Sequence, residues 1–339
     1  MNAPRTLLIR LPNPVGDVVM TTPLLRVLRE RLPETRLIVA GKPVFGSLLS
    51  GLDTIDAFVP LPSGVRAQAR VLRPIGAELA LILPNSWSSA LATRLAGIPV
   101  RIGRRAQGRG ALLSVRLPAV GPARPMTRVY LEMLAALRIP VPSVGAEPRA
   151  ELVVPPEAGD GEANWIGVAP GAAFGPSKCY PLDQLVPAVV ELCEKAQARP
   201  LLIGSPSEQD QLAETAAALR QAGLESELPE PGDLAAAKRR IARCALLVTM
   251  DSGARHIAAA LGVPQVVLYG PTHPEWSAHA LDTTTILRRN ELDCLNCHEK
   301  VCPIDHRCMT RIAPADLAAA GLAQLAGNAK RAPQSGARS

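Results

Sequence analysis

Short β-rich runs alternate with helical runs along this chain in two successive series, and that alternation limits its fold more than any other feature. In the first half, Thr6–Leu11 is followed by a helical Val18–Leu32, Leu37–Ala40 by Val44–Leu49, and Leu79–Leu83 by Trp87–Ala96. Val100–Ile102 and a helical Met126–Leu137 complete the series. Strands separated by helices pair in parallel, so the pattern predicts βαβ units in a doubly wound sheet. The second half repeats it with Trp165–Ala169, Leu182–Ala198, Pro200–Ile203, Glu208–Ala222, Leu234–Ala242, Leu246–Thr249, Gly253–Leu261 and Gln265–Tyr269, before a helix at Pro314–Leu325. The expected fold class is therefore α/β, with two Rossmann-like doubly wound parallel-sheet domains.

Between Ile139 and Ala163 the chain is rich in Pro, Gly and acids, which reads as a linker with at most one strand. This places domains at 1–160 and 161–328, with a loose tail at 329–339. Two domains suit a length of 339 residues. The apolar runs, such as Leu79–Leu83, are far shorter than the roughly 20 residues of a membrane-spanning helix. Thr6–Leu11 is too short for a secretory signal, so a cytoplasmic protein is expected.

Ligands of doubly wound sheets bind beyond the carboxyl ends of the strands. At one such end, Leu246–Thr249 runs into Met250-Asp251-Ser252-Gly253-Ala254-Arg255-His256 and then an apolar helix. Unpaired N–H groups and the local dipole at a helix start stabilise an anion. Gly253 permits close backbone approach, while Asp251 and Ser252 suit either a ligand or an ordinary helix cap. His256, one turn in, fits either a ligand contact or helix packing. The next strand leaves through Tyr269-Gly270-Pro271-Thr272, and the first strand of this half leaves through a Gly/Pro-rich loop carrying Lys178. A compact ammonium there suits a diphosphate. In the first half, the opening strand exits into Pro12-Asn13-Pro14-Val15-Gly16-Asp17. Asp17 is placed either to cap a helix or to take a proton from an attacking hydroxyl. No G-x-G-x-x-G fingerprint is present.

Two further features stand out. The net charge of +7 equals the count of arginines between Arg101 and Arg128, a stretch with no Asp or Glu. Its members, among them Arg101, Arg104, Arg105 and Arg109, suit a solvated face or an anionic partner such as a phosphorylated acceptor or a membrane surface. Cys294, Cys297, Cys302 and Cys308, with His298 and His306 interleaved, suit a structural zinc site, free thiols packing a loop, or a conditional disulfide. A site closed by four thiolates leaves no position open for catalysis.

Taken together, Gly16-Asp17, Pro170-Gly171 through Lys178 to Pro181, Asp251-Ser252-Gly253-x2-His256, Tyr269-Gly270-Pro271-Thr272 and the late cysteines resemble glycosyltransferase family 9 over residues 5 to 326. The ADP-heptose:lipopolysaccharide heptosyltransferases belong to that family, and within it the chain looks closer to the heptosyltransferase II branch. The resemblance implies a GT-B fold, with an acceptor domain and a donor domain facing a central cleft. It implies Asp17 as general base, Lys178 as donor-phosphate ligand, and Asp251, Ser252, Gly253 and His256 around the diphosphate and sugar. Glu208 falls where the adenosine ribose is expected. The implied partners are ADP-heptose and a phosphorylated, lipid-linked saccharide acceptor at the inner face of the cytoplasmic membrane. No catalytic metal and no nucleic acid are implied. Many relatives read Lys-Arg-Trp-Pro where this chain reads Lys178-Cys179-Tyr180-Pro181. A related transferase using another nucleotide sugar is one alternative. A non-catalytic nucleic-acid-binding protein, which requires steeply salt-dependent binding, is another.

Overall fold

A computed structural model describes residues 3–154, 164–230 and 232–329. The chain divides into two compact units, Met1–Val153 with Glu275–His279, and Val154–Pro274 with Ala280–Ser339. The expected boundary at residue 160 lies outside the described residues. So does the expected tail, from residue 330 onward.

The first unit holds six strands: β1 (Thr6–Arg10), β2 (Arg36–Gly41), β3 (Ala57–Pro60), β4 (Leu79–Ile82), β5 (Val100–Arg104) and β6 (Val115–Leu117). Its helices are α1 (Val15–Met20), α2 (Thr22–Arg31), α3 (Phe45–Leu49), α4 (Val65–Leu72), α5 (Trp87–Leu95) and α6 (Met126–Leu131). The sheet order is β3-β2-β1-β4-β5-β6, parallel throughout. Central strands such as β1 and β4 are buried on both faces, which explains their unbroken apolar runs. The expected helix Val18–Leu32 is broken at Thr21. Pro23 has no N–H for the Val19 carbonyl, and the Thr22 hydroxyl donates to that oxygen instead at 2.9 Å.

The second unit holds β7 (Trp165–Ala169), β8 (Arg199–Leu202), β9 (Cys244–Met250), β10 (Gln265–Leu268) and β11 (Thr284–Leu287) in the order β11-β10-β9-β7-β8, again parallel. Helices α7 (Leu182–Ala196), α8 (Gln209–Gln221), α9 (Leu234–Ala242), α10 (Gly253–Leu261), α11 (Arg307–Thr310) and α12 (Pro314–Ala329) accompany it. A core of Ile166, Val168, Leu192, Leu246, Val248 and Met309 lies to one side of this sheet.

The strands the sequence pattern does not foresee are β3, β6 and β11. All three lie at sheet edges. All three are short and only partly buried, as strands that pair on one side are.

In each sheet the strand order reverses at one place. In the first unit this lies between β1 and β4, and in the second between β7 and β9. Two successive connections diverge there and leave a crevice beyond the strand ends, where doubly wound folds place their ligands. Asp17 lies just past the end of β1, in the first turn of α1. The loops after β7 and β9 carry Lys178 and Asp251.

Candidate functional site

At the reversal point of the second unit, three strand exits converge through their side chains. The Lys178 ammonium donates to Asp251 Oδ2 at 2.6 Å and to the Asp251 carbonyl at 2.9 Å. The Thr272 hydroxyl donates to the same Oδ2 at 2.7 Å. The Phe174 ring lies 4.9 Å from the ammonium, adding a cation–π contact. Burial alone raises the Asp251 pKa. The adjacent Lys178 charge, the Lys178 and Thr272 hydrogen bonds and the Arg255 charge outweigh it, so this carboxyl stays below its ordinary range and ionised. An ammonium has three N–H donors. Asp251 engages two, and the third remains for an incoming oxyanion.

The same geometry decides between a cap and a ligand site at the α10 start. Ser252 is the N-cap residue, yet its side chain makes no capping hydrogen bond. Its hydroxyl lies 3.3 Å from the Thr249 hydroxyl instead. Asp251 is directed at Lys178 and Thr272. Gly253 opens that turn, and His256 is buried one turn further in. A helix start whose N-cap side chain makes no capping bond, beside a fixed ammonium, suits an anion.

Along the same sheet edge, beyond β8, lies a cavity of about 670 Å³ lined by Gly204, Ser205, Gln209, Pro229, Glu230 and Ala236 among others. This falls within the range of small-molecule sites. Sequence reading missed it, because its walls come from an irregular segment before α9 whose only signal is the Pro229-Glu230-Pro231-Gly232 run. Glu208 stands beside it. Its Oε2 accepts from the Ser205 N–H at 2.8 Å and the Ser205 hydroxyl at 2.6 Å, a capping box at the start of the helical segment. Glu208 also lies close beneath the β7 exit, where a Cβ on Gly171 would come within 2.1 Å of Oε1.

In the first unit, Asp17 sits in the first turn of α1 and is half-buried. Burial pushes its carboxyl up to about 6, against a hydrogen bond from Tyr130 that works the other way. Tyr130 itself is held well above its ordinary value by burial and by the Asp17 charge, so its hydroxyl remains the donor. A carboxylate with a pKa near 6 is a competent base at neutral pH.

Known proteins share this arrangement of sheets and loops. The sequence profile of glycosyltransferase family 9 (heptosyltransferase) matches residues 65–307. The chain belongs to glycosyltransferase family 9. Lipopolysaccharide heptosyltransferase 2 of Salmonella typhimurium is 31% identical over 300 residues, covering 82% of this chain and 86% of that protein. The solved structure of E. coli ADP-heptose lps heptosyltransferase II superposes with a TM-score of 0.80 at 28% identity, over 96% of this chain and 99% of the other. The E. coli heptosyltransferase WaaC with ADP-2-deoxy-2-fluoro heptose shares the fold at a TM-score of 0.71 and 17% identity, over 92% and 97% of the two chains. The fold is thus GT-B-like, and the chain is a glycosyltransferase.

For a family 9 enzyme, the position of Tyr180 is informative. It is buried in the core, and its hydroxyl donates to the Ile312 carbonyl at 2.7 Å. Tyr180 is thus a packing position.

The segment that carries the late cysteines holds the donor loops in place. The Ser177 N–H donates to the Lys300 carbonyl at 3.1 Å and its hydroxyl to the Glu299 carbonyl at 2.5 Å. His306 Nε2 lies 2.7 Å from the Ser177 carbonyl. On the other side the His298 N–H donates to the Pro271 carbonyl at 3.0 Å. One segment therefore braces the residues next to both Lys178 and Thr272. Asn296, His298 and His306 take left-handed backbone conformations to do so. Burial, followed by the neighbouring Cys294, Cys302 and Cys297, pushes the Cys308 thiol up to about 11. Among the described residues, however, no three His, Cys, Asp or Glu side chains are grouped to hold one metal ion.

Gly175 makes the bracing possible. Its φ is +149°, and a Cβ there would lie 2.5 Å from the Lys300 carbonyl oxygen. Gly175→Ala is expected to cost on the order of 2–3 kcal/mol through strain alone and to weaken donor binding by displacing Lys178. Thermal denaturation and donor titration check both effects.

The arginine stretch is largely structural, which corrects its reading as a surface for acceptor or membrane. Arg109 is fully buried and donates to the carbonyls of Arg104, Pro84 and Ser86. Arg104 is buried and paired with Glu132 at 2.6 Å. Arg101 donates to the carbonyls of Leu112, Ile98 and Pro99. Only Arg105 of the four is exposed. A run of basic residues reads as surface because nothing local in the sequence marks the carbonyls and distant acids that take the charges inside.

Proposed function

We propose that this enzyme transfers a heptose from ADP-heptose to the inner core of a lipopolysaccharide precursor, with inversion at the anomeric carbon. The observation that carries the reading is the Lys178–Asp251–Thr272 set at the α10 start, since it prepares a site for a leaving diphosphate. Likeness to heptosyltransferase 2 proteins over most of their length supports the sugar. The cavity beyond β8 takes the nucleoside, and Glu208 Oε1 lies in reach of its ribose.

The acceptor hydroxyl oxygen bonds to the anomeric carbon as the bond from that carbon to the β-phosphate oxygen breaks. The bond's electron pair leaves on ADP, and the hydroxyl proton passes to Asp17. Lys178, the α10 amides and His256 meet the charge that develops on the diphosphate. Asp251 orients Lys178 without touching the phosphates. Because these groups supply the positive potential, the reaction needs no metal. None of the described helices is long and apolar enough to cross a membrane. In this reading the enzyme meets its lipid-linked acceptor at the inner face of the cytoplasmic membrane.

Thermal-shift titration with ADP-heptose and with UDP- and GDP-sugars tests the donor. Only a ligand that binds the native state raises the melting temperature. Stabilisation by ADP-heptose alone is expected, and stabilisation by a different nucleotide sugar instead would overturn the assignment. The base must also be ionised to act. With the Asp17 carboxyl near 6, kcat/KM is expected to be flat around pH 7–8 and to fall about tenfold per unit below pH 6.

A further inference from the structure

One wall of the cavity beyond β8 is an irregular stretch between α8 and α9, and nothing in the proposed reaction explains what keeps it in place. Leu228, Pro229, Glu230 and Gly232 line the cavity from this stretch. At its far end Asp233 caps α9, its carboxylate accepting from the Ala235 and Ala236 N–H groups at 3.0 and 3.1 Å. At its near end Glu227 joins the sheet for a single residue, in an isolated parallel bridge to Leu201. The Glu227 N–H donates to the Pro200 carbonyl at 3.1 Å, and the Glu227 carbonyl accepts from the Leu202 N–H at 2.9 Å. Two backbone hydrogen bonds at a sheet edge are a weak tether.

Arg240, in the last turn of α9, supplies the rest. Its Nε donates to the Leu202 carbonyl at 2.8 Å, Nη2 to the Glu227 carbonyl at 2.6 Å and Nη1 to Glu227 Oε1 at 2.7 Å. The side chain is only 13% exposed, so water competes little for these bonds. Arg243 reaches the same Oε1 at 3.3 Å, with its guanidinium 5.3 Å from the Trp165 ring. One planar fork therefore ties the end of β8, the Glu227 backbone and side chain, and α9 together, which an ammonium could not do. The next residue along, Leu228, is 44% exposed, whereas Ile203 and Leu212 of the same lining are buried. An accessible leucine held in a cavity wall offers the apolar contact that a nucleobase face takes.

We infer that Arg240 is a positioning residue for the donor's nucleoside: by clamping Glu227 to β8 it holds Leu228 in the wall that packs against the base. The inference rests on the proposed placing of the nucleoside in this cavity. Arg240 acts through Glu227, and its effect is on how much of the time the wall is in place. A site that is competent for only part of the time binds more weakly by that fraction. The Lys178–Asp251–Thr272 set comes from the loops after β7, β9 and β10 and contains none of these residues. Loss of the clamp therefore weakens the nucleoside's share of binding and spares the diphosphate's.

The test is calorimetric titration of wild type, Arg240→Met, Arg240→Lys and Leu228→Ala with ADP, UDP, GDP and inorganic diphosphate. For the nucleotide that binds wild type, Arg240→Met is expected to raise Kd by about 10–100-fold, the effect of losing charge-assisted hydrogen bonds. Arg240→Lys keeps the charge without the fork and should fall nearer to Arg240→Met than to wild type. Leu228→Ala, a change at an exposed side chain, should raise the same Kd by about 3–10-fold through lost apolar contact. Inorganic diphosphate should bind all four proteins within about twofold. In turnover, donor KM should rise while kcat at saturating donor holds, as when uniform binding is lost. Equal weakening of nucleotide and diphosphate would make Arg240 a prop of the whole unit and overturn the inference. So would unchanged nucleotide binding in Arg240→Met or, should that variant not fold, in Leu228→Ala. Wild type that binds diphosphate but no nucleotide more tightly would instead overturn the placing of a nucleoside in this cavity, and the clamp's role with it.

Discussion

Asp17→Asn is expected to lower kcat by about 10²–10⁴-fold, the range for loss of a positioned general base, with donor affinity unchanged. The amide keeps the shape and still accepts the Tyr130 hydrogen bond, so the loss isolates proton transfer. The same variant carries a stability signature with a definite sign. Asp17 rises from an ordinary 3.8 to about 6 in the folded protein, mainly through burial. The folded state therefore holds the proton more tightly than the unfolded chain. Stability falls as pH rises from about 4 to 6, and the full cost is present above 6. Asn is never charged, so Asp17→Asn should melt above wild type at pH 7–8, with the gap closing toward pH 4. Thermal denaturation across pH, set beside turnover, reads both effects. A variant that loses activity and also melts lower at pH 8 would assign Asp17 a structural role.

Lys178→Met carries the second large effect. Removing an electrostatic donor aimed at a developing charge costs about 10²–10³ in kcat. Here it also takes the ion-pair partner from the buried Asp251 carboxylate. Breaking a buried pair from one side destabilises by about 3–5 kcal/mol. Calorimetry should therefore show a marked fall in melting temperature together with lost donor binding. In Lys178→Met/Asp251→Asn the stranded charge is gone, so stability should recover while donor binding does not. Recovery of both would show that Lys178 matters only through the fold.

Legibility in the sequence depended on whether the determinant is local. β1, β4, β7 and β9 are flanked by other strands and read directly as apolar runs. The loops that leave them at the reversal points had to carry the chemistry, and the residue types in those loops single out Asp17, Lys178 and Asp251. What Asp251 does was not legible. A helix-start acid reads as a cap, and only the strand order, which brings the β7 exit beside the β9 exit, reveals it as the partner of Lys178. The arginines failed for the same reason. Arg109 neutralises nothing nearby in sequence and finds its carbonyls on a loop some 25 residues away, as measured by its contact with Pro84. The bracing of Ser177 by His306 lies between residues 129 apart, and no spacing rule could have found it.

Incubating the enzyme with ADP-heptose and a defined inner-core acceptor, in the presence of a chelator, and analysing the product by mass spectrometry and anomeric NMR tests the account most directly. The expected result is an acceptor heavier by one heptose, linked with inverted configuration, with ADP released and none of this in Asp17→Asn. Transfer that retains the configuration, or that proceeds at full rate in Asp17→Asn, would contradict it.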